Sequence, residues 1–145
     1  MHPFHAYIHG MNFTPLFTAP LAVQLHVYTA LAAIILGLVQ FLQPKGTFSH
    51  KTMGWVWIVL LAIICLSAFG IRGSLFIGPV SVFHVVALYT LWSLFMGARA
   101  ALKGDVPNHK SYMIWIFGLS LIVSALLAFA PGALLHDVVM GRRQG

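Results

Sequence analysis

Four apolar runs, Leu21–Leu42, Met53–Ile71, Val80–Leu102 and Ser111–Ala130, decide what this chain can become. Each is about 19 to 23 residues long, and roughly 20 residues rising 1.5 Å apiece cross a bilayer core. None alternates polar with apolar positions, as the strands of a membrane barrel would. The runs predict an all-α protein, a four-transmembrane-helix bundle over residues 21–130, with an N-terminal interfacial segment at 1–20 and a C-terminal tail at 131–145. Composition agrees: with 60% hydrophobic and 7% charged residues and a mean hydropathy of +0.93, the chain has too little polar surface for a water-soluble domain. The bilayer is therefore its first partner.

The charge that remains sets orientation. A net charge of +6 invites a nucleic-acid reading, but the basic residues flank the apolar runs and the C-terminus rather than lining one face, so no nucleic-acid partner is expected. Lys45, Lys51, Arg99, Lys103 and Lys110 share one side, and Arg72, Arg142 and Arg143 share the other. The positive-inside rule then puts both hairpin loops in the cytoplasm and both termini outside. "MHPFHAYIHG" has no basic residue and no apolar core before a cleavage site, so the first span is expected to do the targeting. Cys65, the sole cysteine, reads as a buried structural thiol.

The scarce polar residues repeat. "KGTFSHKTM" at 45–53 returns as "KGDVPNHKSYM" at 103–113, and with one inserted residue His26 falls on His84 and His50 on His109. This predicts two tandem helical hairpins related by pseudo-two-fold symmetry along the membrane normal. Ser49 and Asn108 are the expected N-caps of the second and fourth spans. Trp55, Trp57, Tyr112 and Trp115 are expected as an interfacial aromatic belt. Ala33 and Gly37 read as a small-residue packing step, and Ser67, Ser81, Ser93 and Ser124 as interhelical hydrogen bonders.

The repeat also places four histidines. His26 and His84 stand near the outer ends of the first and third spans, and His50 and His109 head the second and fourth at the inner boundary. The two levels are roughly 20 to 25 Å apart at 1.5 Å per residue. An ionisable residue inside a membrane is costly enough to imply a function, and imidazole is both cheap to bury and a good ligand. Two histidines from non-adjacent helices at equal depth suit the axial positions of haem b. The expected cofactors are two haems b, the outer iron on His26 and His84 and the inner on His50 and His109, with Arg72 in the outer loop able to meet a propionate. Ala30 and Gly54 lie one turn beyond His26 and His50 and offer room for a macrocycle. Leu88 and Met113 take the matching places in the second hairpin and offer none. His2, His5 and His9 have helical spacing interrupted by Pro3, and His136 belongs to no pattern.

"LHVYTALAAIILGLVQFLQPKG" followed by "SHKTMGWVWIVLLAIICLSAFG" resembles two haem-ligating helices of the transmembrane diheme b-type cytochromes, through His26, Gln40, His50 and Gly54. That likeness implies ligation by helices one and three and by helices two and four. "HKTMG" with "ARAALKGDVPNHKSYM" resembles the bacterial membrane proteins grouped as domain of unknown function 2306, over nearly the whole chain. Together these imply a multi-pass protein of the bacterial cytoplasmic (inner) membrane with periplasmic termini.

The leading functional expectation is a transmembrane oxidoreductase that moves single electrons across the bilayer, supplied by quinol or a small reductant. One alternative is an accessory or assembly subunit of a larger membrane complex. Another is a His-based metal-ion or proton transporter, although the only acids, Asp105 and Asp137, lie in a loop and the tail. Hydrolytic chemistry is excluded by the lack of paired carboxylates, a nucleophile elbow or a phosphate loop.

Overall fold

The computed structural model describes residues 13–71, 76–77, 80–129 and 134–140. After a short helix α1 (Thr14–Phe17), Pro20 opens α2 (Leu21–Leu42), where its missing N–H costs nothing. Helix α3 (Phe48–Ala68) follows. A two-residue antiparallel bridge, β1 (Phe76–Ile77) on β2 (Val80–Ser81), leads into α4 (Val82–Leu102). The last span is composite: α5 (Val106–Trp115), a π-helical stretch Ile116–Val123, and α6 (Ser124–Ala128). Helix α7 (Leu134–Val139) packs against α1, where Leu16 and Val138 are both buried. Four of these helical stretches are long and apolar enough to cross a membrane.

The spans pack as a closed ring: α2 on α3, α3 on α4, α4 on α5, and the π stretch back against α2. The first and third spans are thus diagonal partners, as are the second and fourth. Ala33, Trp57, Leu61, Leu94, Ile116 and Leu121, drawn from all four spans, form one buried cluster at the centre. The outer faces, among them Leu25, Ile35, Val59, Leu66 and Phe95, remain exposed apolar surface for lipid. Lipid is as apolar as the core, so close backbone approach and interhelical hydrogen bonds must supply the cohesion. Gly37 shows how. A Cβ built there would lie 2.6 Å from the ring of Phe117 and 3.0 Å from the indole nitrogen of Trp57. The Ala33 and Gly37 step is a packing device, as its spacing predicted.

Both hairpin loops are built alike. Gly46 has φ +80° and Gly104 φ +76°, left-handed conformations that a side chain disfavours, and each glycine precedes a side-chain N-cap. In the first loop Lys45 folds back so that its ammonium donates to the carbonyls of Gln40, Phe41 and Gln43, the orphan acceptors at the end of α2. Thr47 then accepts from the His50 N–H at 3.2 Å, and in the second loop Asp105 accepts from the Asn108 N–H at 3.3 Å. Ser49 and Asn108 are therefore inside the helices rather than at their caps. The turn closes directly after each left-handed glycine, so the first oxygen-bearing side chain beyond it takes the cap.

Trp57 also departs from the expected belt. It is 5% exposed and its indole Nε1–H donates to the Ala33 carbonyl at 2.9 Å, while Trp55 and Trp115 do face outward. The reason is helical phase: Trp57, Leu61 and Cys65 recur every four residues and are all buried. Cys65 is the buried thiol that its apolar setting implied.

Candidate functional site

The end of α3 far from the two hairpin loops gathers one set of polar residues. His26, on the second turn of α2, turns toward α3, where its Nδ1 lies 3.1 Å from the Ile64 carbonyl oxygen and 3.0 Å from Ser67 Oγ. Ser67 spends its own proton on that same carbonyl at 2.9 Å, so both partners can only accept from the ring. The proton must sit on Nδ1, and Nε2 keeps its lone pair. His84, on the first turn of α4, stacks on Phe69 just past the end of α3, with centroids 5.1 Å apart and planes 11° from parallel. His26 and His84 thus share one level, each against the last turns of α3.

The level expected at the inner boundary is assembled by the two hairpin loops. His109, placed in the first turn of α5 by the Asp105 cap, points its Nδ1 at the Gly97 carbonyl of α4, 3.0 Å away. A carbonyl cannot donate, so this ring too carries a proton on Nδ1, and in its neutral form the lone pair is on Nε2. His50, placed by the Thr47 cap, lies within electrostatic reach of His109. Its carbonyl accepts from Gln40 Nε2 at 3.0 Å, while its ring Nδ1 is buried with no hydrogen-bond partner, as is Gln40 Oε1.

Glycines set how closely these groups approach. The Gln40 amide occupies the notch left by Gly54, its nitrogen 3.2 Å from where a Cβ would stand. At Gly97 the notch is taken by Met113 Cε and by the Cβ of Tyr112. The room expected for a macrocycle beside Gly54 is therefore filled by a side chain. In the second hairpin, Leu88 faces outward at 59% exposure and the small residue turned inward is Ala87, at 5%. Leu88 does not crowd the interior as its alignment with Ala30 implied, because the adjacent position, about 100° round the helix, is the one that faces inward. Ala87 and Gly97 are the positions that sequence reasoning passed over; their signal was small size on the face shared with buried Leu94 and Ala100.

Between the two levels lie Thr90 and Ser120, joined at 2.6 Å across the third and fourth spans, and Ser93, whose hydroxyl is buried without a partner. Ser67 bridges helices as expected of it, through His26. Arg72, His2, His5 and His9 lie outside the described residues, and His136 sits on α7. Among the described residues no three of His, Cys, Asp and Glu come together to hold a bare metal ion.

Each level holds histidines from diagonal helices, the arrangement a bis-histidine haem would need. The inner slot would require the Gln40, Met113 and Tyr112 side chains to turn aside.

No curated protein and no solved structure matches the chain. A family model does, described as "Predicted membrane protein (DUF2306)" and covering residues 23–140. Since that range takes in all four spans and both histidine levels, the chain belongs to the DUF2306 family of predicted membrane proteins.

Proposed function

We propose that this protein is a b-type cytochrome-like electron carrier of the bacterial inner membrane, holding two haems with His26 and His84 as the outer ligands and His50 and His109 as the inner ones. The observation that carries the reading is the shared tautomer of His26 and His109. Each gives its Nδ1 proton to a neighbouring helix and keeps Nε2 bare, which is how metal-ligating histidines are oriented by their surroundings. When bound, each haem would supply an iron that accepts and returns one electron. The chain's own contribution is to fix ring orientation through Ile64, Ser67 and Gly97.

Haem is favoured over a bare metal ion because its macrocycle brings four nitrogens and asks the protein for only two, while no three-residue ligand group forms among the described residues. The two levels, about 20 to 25 Å apart along α3, would carry charge between the faces of the membrane. Quinol or a small reductant is the proposed donor. The two hairpins are proposed to be copies of one unit, with the termini periplasmic.

The test is to express the chain with haem supplied, purify it in detergent and record spectra before and after dithionite. Two haems b per chain with a low-spin, six-coordinate reduced spectrum support the proposal. A colourless protein overturns it.

A further inference from the structure

Two buried atoms at the inner end of the bundle lack hydrogen-bond partners and are complementary in kind: Gln40 Oε1, which can only accept, and His50 Nδ1, which can donate. Buried polar atoms are nearly always paired, so two orphans on adjoining helices need an explanation. The Gln40 amide nitrogen already donates to the main-chain carbonyl of His50 at 3.0 Å, which ties the amide to the residue whose ring is unpaired. That bond also fixes which end of the amide is which, since a reversed Gln40 would set two acceptors against each other. Oε1 is therefore the atom left over, beside a ring whose Nδ1 is attached close to its own backbone. Pairing the two would satisfy both.

We propose that Gln40 is the positioning residue for His50, its Oε1 receiving the His50 Nδ1 proton and so leaving Nε2 free to take a ligand. The inference rests on the ligand role proposed above, but its structural content does not. His26 gives its Nδ1 proton to Ile64 and Ser67, and His109 gives its own to Gly97; for His50 the unpaired acceptor tied to its residue is Gln40 Oε1. Sequence supports the division of labour. The inserted residue in the second loop puts His109 one position further from its cap than His50, so the two rings meet different surroundings. A main-chain carbonyl serves one and a side-chain amide is needed for the other.

The experiment uses the full chain with 15N-labelled histidine in nanodiscs, without haem and with it, comparing wild type with Gln40→Leu and Gln40→Glu. The wild type is expected to show His50 with its proton on Nδ1, a form that Gln40→Leu loses and Gln40→Glu, which keeps an acceptor, retains. With haem, Gln40→Leu is expected to weaken retention of the inner haem roughly 10- to 100-fold, as loss of an orienting partner does, while the outer haem stays. A wild-type His50 with its proton on Nε2, or an Nδ1 proton indifferent to Gln40→Leu, overturns the inference. Protein that binds no haem refutes the proposed function alone, because the tautomer is read in its absence. Should Gln40→Leu fail to fold, the wild-type and Gln40→Glu spectra still decide.

Discussion

The indole Nε1–H of Trp57 donates to the carbonyl oxygen of Ala33 across 2.9 Å, joining the first two spans at the buried centre of the bundle. Trp57→Phe removes this bond and also part of the buried indole's volume. Interhelical hydrogen bonds in membranes average about 0.6 kcal/mol and reach about 1.7, and the cavity left in the core adds to that, so a loss of about 2 to 4 kcal/mol is expected on thermal unfolding in detergent. A loss below about 1 kcal/mol would mean that neither the bond nor the fill of the indole holds the helices together.

Gly37→Ala tests the close approach next to it. Its new methyl would meet Phe117 at 2.6 Å, so the ring must shift. The expected cost is about 1 to 3 kcal/mol, typical of overpacking. Gly37→Ala combined with Phe117→Leu should recover most of it, and failure to recover would point to the backbone instead.

The loop glycines are a different case. Nothing lies within 4 Å of a Cβ built on Gly46 or Gly104, so only the left-handed backbone opposes a side chain. Each Gly→Ala change should cost about 1 to 2 kcal/mol, and Gly→Asn less, because asparagine tolerates that conformation. The check is the order of melting temperatures: wild type, then asparagine, then alanine.

Thr90 and Ser120 give a double-mutant cycle across the third and fourth spans. Thr90 donates to the Val86 carbonyl at 2.7 Å, so the proton between the two hydroxyls belongs to Ser120. Thr90→Val and Ser120→Ala should couple by about 0.6 kcal/mol, in line with other membrane hydroxyl pairs. Additive effects would show that the contact adds no stability.

Topology can be read by labelling. With buried Cys65 changed to alanine, Lys103→Cys in intact cells should resist a membrane-impermeant maleimide and react once the membrane is opened. Labelling in intact cells would reverse the orientation.

How much of this was legible in the sequence depends on whether the determinant was local. The first span, Leu21–Leu42, has the bounds its apolar run marks, because Pro20 and Pro44 fix both ends. The start of α3 was placed too late because Ser49 is a good cap in isolation, whereas the cap is chosen by where the left-handed Gly46 releases the chain. Trp57 looked interfacial by its depth, and only its phase with Leu61 and Cys65 shows that it points inward. The histidine levels were readable because rare residues repeat. Their hydrogen-bond partners were not, since Ile64 and Gly97 act through main-chain oxygens that every residue carries.

The π-helical stretch Ile116–Val123 has a consequence for how this protein tolerates insertions and deletions. Each residue removed from a helix re-indexes everything beyond it by about 100°. A deletion inside 116–123 could be absorbed by tightening that stretch to ordinary winding, but Ser120 would then swing off Thr90 while Tyr112 stayed in place. The fourth span therefore carries a built-in dislocation, and its two halves need not keep step through evolution.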